Sequence, residues 1–141
     1  MKRIASVVFI LMAVIYACNT TKGPAVVATE KSISGINWYL KKIYLSTGNI
    51  DVNNANAFIK FDAAKNSVGG KGGCNNFGCS YTVNEQQLDF KNVFSTKMFC
   101  ETYQSQEDSF FKQLEKVNRY DVKDGKLLLY MNSELLLEFG K

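Results

Sequence analysis

From Ile36 onward, short apolar segments recur at close intervals, broken by Gly, Asn and Asp, with only one helical pattern among them. Such a chain must bury strand faces on one another, because a strand with one apolar face cannot stand alone in water. Trp38–Leu45 is rich in aromatic and branched residues, with a polar Lys41-Lys42 pair in its middle, and reads as the first strand. In Ala57–Asp62 the residues Ala57, Ile59 and Phe61 form an apolar face opposite Phe58, Lys60 and Asp62. Ser80–Val83 and Gln87–Phe90 flank a turn at Asn84-Glu85-Gln86, and Val93–Met98 suggests a further short strand. Arg119–Val122 and Lys126–Met131 flank Asp124-Gly125, a strong short-range hairpin signal, and Asn132-Ser133 leads into Glu134–Phe139. Thr47–Asn56 is Asn-rich and reads as a loop. Between the strands, Phe110, Leu114 and Val117 share one face at helical spacing, with Phe111 beside it. This predicts a helix over Gln106–Val117, capped by Ser105 with Asp108 completing a capping box and Glu107 suited to the positive helix N-terminus. The expected fold is α+β: a compact, strongly curved antiparallel sheet or partly open barrel of about eight strands with one amphipathic helix.

The N-terminus reads as an address. Lys2 and Arg3 precede the uncharged stretch Ile4–Ala17, whose 14 residues are too few for an ordinary membrane span of about 20. The stretch ends Ile15-Tyr16-Ala17-Cys18, which resembles the lipobox of bacterial lipoproteins. That resemblance implies cleavage before Cys18 and a lipid on its thiol, so that the membrane itself becomes a partner. Residues 1–17 are then a signal peptide, and 18–34 are the lipidated Cys and a flexible, mostly polar tether holding the only Pro. The folded domain is expected over 35–141. No acidic run follows Cys18, which favours a periplasmic face within the bacterial cell envelope.

Composition removes several chemistries. The chain has no His, which excludes Ser-His-Asp and Cys-His catalytic units and a His-ligated zinc. Without residues 1–17 the formal charge is 15 minus 13, or +2, and no basic run exceeds Lys41-Lys42, so nothing calls for nucleic acid. The glycine-rich Ser67–Gly73 lacks the Lys-Ser/Thr pair and following helix of a phosphate loop, and marks a bulge or close backbone approach instead. Asn75 and Asn76 read as turn residues that satisfy local backbone groups. Asp121, Asp124 and Glu138 form no pair at a spacing suited to acid/base work. No catalytic residue, cofactor or metal is expected.

Gly73-Cys74-Asn75-Asn76-Phe77, Tyr81, Ser95-Thr96-Lys97-Met98-Phe99-Cys100, Glu107, Phe110-Phe111, Leu114 and Leu127–Leu129 follow Trp38-Tyr39-Leu40 in a recognisable order. This order resembles the META domain, the HslJ-like family of bacterial envelope proteins, over about Ile36–Phe139. The resemblance implies a mainly antiparallel β domain with a short helix, a link to stress responses and envelope integrity, and no agreed catalytic set. It also implies a Cys74–Cys100 disulfide, closing a loop of 26 residues that would contribute about 3 kcal/mol. Cys79, near which the family pattern commonly has a small residue, is left as a free or alternative thiol. Cys79–Cys100 and Cys74–Cys79 stay open as rival pairings. The functional expectation is a lipid-anchored, non-enzymatic envelope module that binds or scaffolds an envelope protein or ligand in stress tolerance. The alternative is a periplasmic thiol-redox or soft-metal protein using Cys74, Cys79 and Cys100, with Met98 as a further soft ligand.

Overall fold

The computed structural model describes residues 32–52 and 56–141. Among the described residues, nine strands form one antiparallel sheet: β1 (Asn37–Leu45), β2 (Gly48–Asp51), β3 (Ala57–Asp62), β4 (Ser67–Gly72), β5 (Asn76–Asn84), β6 (Gln87–Ser95), β7 (Arg119–Lys123), β8 (Lys126–Met131) and β9 (Glu134–Gly140). A helix of 11 residues, α1 (Gln104–Leu114), lies between β6 and β7 in the chain. From β3 to β9 every strand pairs with its sequence neighbour, and β1 pairs with both β3 and β9. The sheet therefore curves into a ring. It is not a regular barrel, because β6 and β7 meet through one residue pair, Gln87 with Arg119.

Alternation places Trp38, Leu40, Ile59, Phe61, Val68, Tyr81, Leu88, Leu127, Leu129, Leu137 and Phe139 inside the ring, where all are buried. Bulges keep that face inward where strict alternation would fail. The register of β1 on β9 shifts between Leu40 and Lys42, so Lys41 is the extra residue and Leu40 and Ile43 both face the core. This accounts for the polar pair inside an apolar strand. The segments Gln87–Phe90 and Val93–Met98, expected as two strands, belong to one strand ending at Ser95. The register shift opposite Gly78–Ser80 and the positive φ of 55° at Asn92 mark the bulge that breaks their pattern.

Three further expectations change. The Asn-rich loop contains β2, which pairs with Lys42–Leu45. Backbone pairing at an edge needs little apolar sequence; Ile50 opposite Ile43 and a 3.0 Å Lys42–Asp51 ion pair hold it. The helix begins at Gln104, not Gln106, with Tyr103 at the N-cap and no side-chain cap, so Ser105 is not a cap and the Ser105/Asp108 box does not form. Its initiation comes from the preceding turn, where the Cys100 carbonyl accepts the Tyr103 and Gln104 N–H groups at 2.9 Å. Finally, packing reaches back into the segment expected as tether. Ile33 is fully buried, its carbonyl accepts the Trp38 indole N–H at 2.9 Å, and Ser34 bridges to Phe61.

The α1 stripe is apolar where it must be. Phe110 and Leu114 are fully buried, and Phe110 meets Phe77, Phe111 and Phe139 in ring contacts of 5.2–6.4 Å. Burying each such side chain stabilises by roughly 1.5–3 kcal/mol, which fixes the helix against β1, β4 and β9.

Candidate functional site

The turn between β4 and β5, the strap 96–100 and the first turns of α1 converge on one buried polar cluster. Gly72-Gly73-Cys74-Asn75 turns tightly, with Gly73 at φ 140° and the Gly72 N–H donating to the Asn75 carbonyl at 2.9 Å. The left-handed conformation at Gly73 points successive backbone N–H groups the same way, forming an anion-receiving nest. Here the anion is internal. Glu107 Oε1 accepts the N–H of Cys74 at 3.1 Å and of Asn75 at 2.7 Å, and Oε2 accepts from Asn75 Nδ2 at 2.6 Å. Glu107 and Asn75 are 2% and 4% exposed, yet every polar atom of both side chains is used. Asn75 Oδ1 accepts from the Thr96 hydroxyl at 2.8 Å and the Met98 N–H at 2.7 Å, while Nδ2 also donates to the Met98 carbonyl at 3.0 Å. The Asn75 amide thus stands in for a missing strand neighbour and holds the strap as a sheet would.

Glycine is required at this junction by space as well. A Cβ on Gly72 would lie 2.8 Å from Glu107 Oε1 and 3.0 Å from the Phe111 ring. The Cys74–Cys100 disulfide, with Cα atoms 6.1 Å apart, ties the same turn to the end of the strap. Of the three pairings left open, this is the one the structure holds. The strap carries its side chains outward: Met98 and Phe99 are 55% and 79% exposed, and Phe94 just before it is 70% exposed. A concavity of about 250 Å³ lies between strap and helix, lined by Thr96, Met98, Phe99, Gln104, Asp108 and Phe111 among others.

Cys79 takes no part in this cluster. It sits opposite Val68 on β5, faces the ring interior and belongs to the apolar core. Burial pushes its thiol up to about 12, so at neutral pH it is a protonated, shielded SH, the opposite of a reactive cysteine. Among the described residues no group of three or more His, Cys, Asp or Glu side chains is placed to hold a metal ion. Cys18 lies outside the described residues.

The remaining acidic candidates separate. Asp121 and Asp124 stay in the β7–β8 hairpin, where Asp124 and Gly125 adopt φ of 52° and 74°, as a two-residue primed turn requires. Glu138 joins an outer-surface network: Lys126 Nζ donates to Oε1 at 2.7 Å and the Tyr44 hydroxyl to Oε2 at 3.1 Å. The Lys126 contact holds the Glu138 carboxyl below its ordinary value, while burial and the Glu138 hydrogen bond hold the Tyr44 phenol above its own. Asn75 and Glu107 are the residues whose role the sequence concealed. Both stand in the ordered motif, but nothing in their spacing shows that they meet.

The profile of the META domain matches residues 31–141. The chain belongs to the META domain family. A search of curated proteins finds no match. Among solved structures, the chain is similar to an NMR structure of a protein from Burkholderia xenovorans, at 20% identity and a TM-score of 0.64, covering 99% of this chain and 97% of that one. It is also similar to a DUF4847 family protein from Bacteroides vulgatus, at 12% identity and a TM-score of 0.59, covering 79% and 96%. At these identities the likeness concerns the fold. Every residue of the locked turn and strap falls within the META match: the Cys74-Asn75, Thr96–Cys100 and Glu107 part of the ordered motif meets in one cluster that holds the strap, while Trp38, Leu40, Tyr81, Leu114, Leu127 and Leu129 lie in the core.

Proposed function

We propose that this META domain protein is a lipid-anchored, non-enzymatic module of the bacterial cell envelope, held through Cys18 with its domain facing the periplasm, that binds or scaffolds a partner in envelope stress tolerance. The observation that carries this reading is the outward presentation of Met98 and Phe99 on a strap whose backbone is fastened by Asn75 and a disulfide. Apolar side chains held out by a rigid support suit recognition, since little ordering entropy is lost on contact. The buried polar groups beneath it are consumed in holding the strap, which leaves them no role in proton transfer. The thiol-redox alternative has less support, because Cys79 is buried away from the Cys74–Cys100 pair and its thiol stays protonated.

Two measurements test the proposal. Mass spectrometry of the mature N-terminus should find acylated Cys18; a free amino group on Asn19 or beyond removes the anchor. A photo-crosslinking residue at Phe99 should give one reproducible adduct in intact envelopes, and the same group at Asp124, on the β7–β8 turn, should not. Equal labelling from both positions removes the binding role of the strap.

A further inference from the structure

We propose that the outer face of β3–β6 is a binding furrow for an acidic glycan chain. The register sets Lys60, Gly69, Gly78 and Phe94 side by side across four adjacent strands on the outer side of the sheet, with Gly78 buried beneath Phe94. Two of the four have no side chain. A Cβ on Gly69 would meet nothing within 4 Å. At Gly78 the Phe94 ring lies over the backbone, so that a Cβ there would come within 2.7 Å of it. The result is a short furrow, open at Gly69 between the Lys60 side chain and the Phe94 ring that covers Gly78. Phe58, Lys71 and Asn76 border it on one side, and Asp62, Ser67, Ser80 and Lys91 on the other. From Lys60 to Phe94 the row spans three strand-to-strand steps, about 14 Å. At the Lys60 end it opens into a concavity of about 590 Å³ that includes Phe58, Lys60, Lys65, Ser67 and Gly69.

The chemistry of this face selects among ligands. Phe94 rests on Gly78 with 70% of its surface exposed, a flat apolar platform of the kind a sugar ring covers with its C–H face. Ser67 and Asn76 offer hydroxyl and amide partners around it, while the Ser80 hydroxyl donates to the Lys91 carbonyl at 3.2 Å. Among the described residues no carboxylate lies within 4 Å of the Lys60, Lys71 or Lys91 ammonium groups. Asp62 is already engaged, by the N–H groups of Ala64 and Lys65 and by the Lys65 ammonium at 3.5 Å. Unmatched Lys71 and Lys91 flanking the row and Lys60 at its far end from the Phe94 ring fit a glycan bearing carboxylates or phosphates along its length. An extended peptide fits less well, because β4 and β5 are paired on both sides and have no free edge to add a strand to.

The Phe94 end of the furrow adjoins the strap, where the Asn76 carbonyl accepts the Thr96 N–H at 3.0 Å, but Gly69 lies two strands away from Phe94 and tests the furrow separately. The full chain in detergent micelles is titrated with fluorescein-labelled tetragalacturonate, with labelled maltotetraose and oligothymidylate as controls. Tetragalacturonate should bind, and more weakly as salt rises. Gly69→Val should weaken binding by about tenfold with an unchanged thermal midpoint, because Val suits a strand and its Cβ has open space. Phe94→Ala should weaken binding comparably and serves as the readout if the Val variant is unstable. The proposal is overturned if wild-type protein does not bind tetragalacturonate, if maltotetraose or oligothymidylate binds as tightly, or if stable Gly69→Val and Phe94→Ala proteins both bind as wild type.

Discussion

Glu107→Gln isolates the internal anion on which the strap depends. The substitution keeps the volume and leaves one carbonyl oxygen to accept the Cys74 and Asn75 N–H groups. The new amide NH₂ then faces Asn75 Nδ2, where the present contact is 2.6 Å, setting donor against donor. Asn75 cannot turn its amide over to relieve this, because its Oδ1 already accepts from Thr96 and Met98. The variant thus weakens two charge-assisted bonds and leaves the Asn75 side-chain N–H, with the N–H groups of the new amide facing it, without an acceptor. Leaving a buried donor unsatisfied costs about 1–3 kcal/mol, and a hydrogen bond to a charged group contributes about 1.5–3 kcal/mol. Allowing for partial relaxation, the net loss is about 2–4 kcal/mol, or roughly 8–16 °C in thermal midpoint for a domain of this size. Urea unfolding at constant m-value measures it, and hydrogen exchange at the Cys74 and Asn75 amides locates it. Asn75→Asp should also destabilise, by setting two carboxyl groups together, and combining it with Glu107→Gln should recover part of the loss. A Glu107→Gln protein within about 0.5 kcal/mol of wild type, with unchanged exchange at both amides, would show that the lock does not hold the strap.

Replacing both Cys74 and Cys100 by Ser should cost about 3 kcal/mol, seen as a lower urea midpoint, while hydrogen exchange at the Met98 amide speeds more than exchange in β8. The Cys79 thiol should resist a disulfide-exchange reagent in native protein up to pH 9 and react at once in urea; native labelling at neutral pH would contradict its burial. Glu138 has a folded-state pKa below its unfolded value. Its contribution is therefore present above the ordinary carboxylate pKa of 4.5 and is lost as pH falls through the depressed folded value. Glu138→Gln should accordingly flatten the acid limb of stability against pH, and an unchanged limb would show that the Lys126 and Tyr44 contacts are not maintained in solution.

Local pattern was enough to read much of this protein. Period-two alternation in Ala57–Asp62, the Asp124-Gly125 turn and the Phe110/Leu114 stripe each act over a few residues, and each became the element that pattern implies. Errors gathered where a distant partner decides. Gly48–Asp51 is a strand because β1 runs beside it, not because of its own composition. The helix starts where the Cys100 carbonyl can receive N–H groups, although Ser105 is the better cap by type. The bulges at Lys41 and Asn92 follow from closing a sheet around one core, a condition no single strand carries.

The order of residues by itself determined the strand-rich class, the amphipathic helix before β7, the absence of histidine chemistry and the kinship with META domains. Tertiary structure alone decided that Glu107 would fill the Gly72–Asn75 nest, that Asn75 would hold the strap, and that Gly69 and Gly78 would align on the outer face. The reason is physical. Propensity and periodicity act between near neighbours along the chain, whereas a buried hydrogen bond joins whichever groups the closed sheet brings within 3 Å. For Asn75 and Glu107 that meeting spans 32 residues.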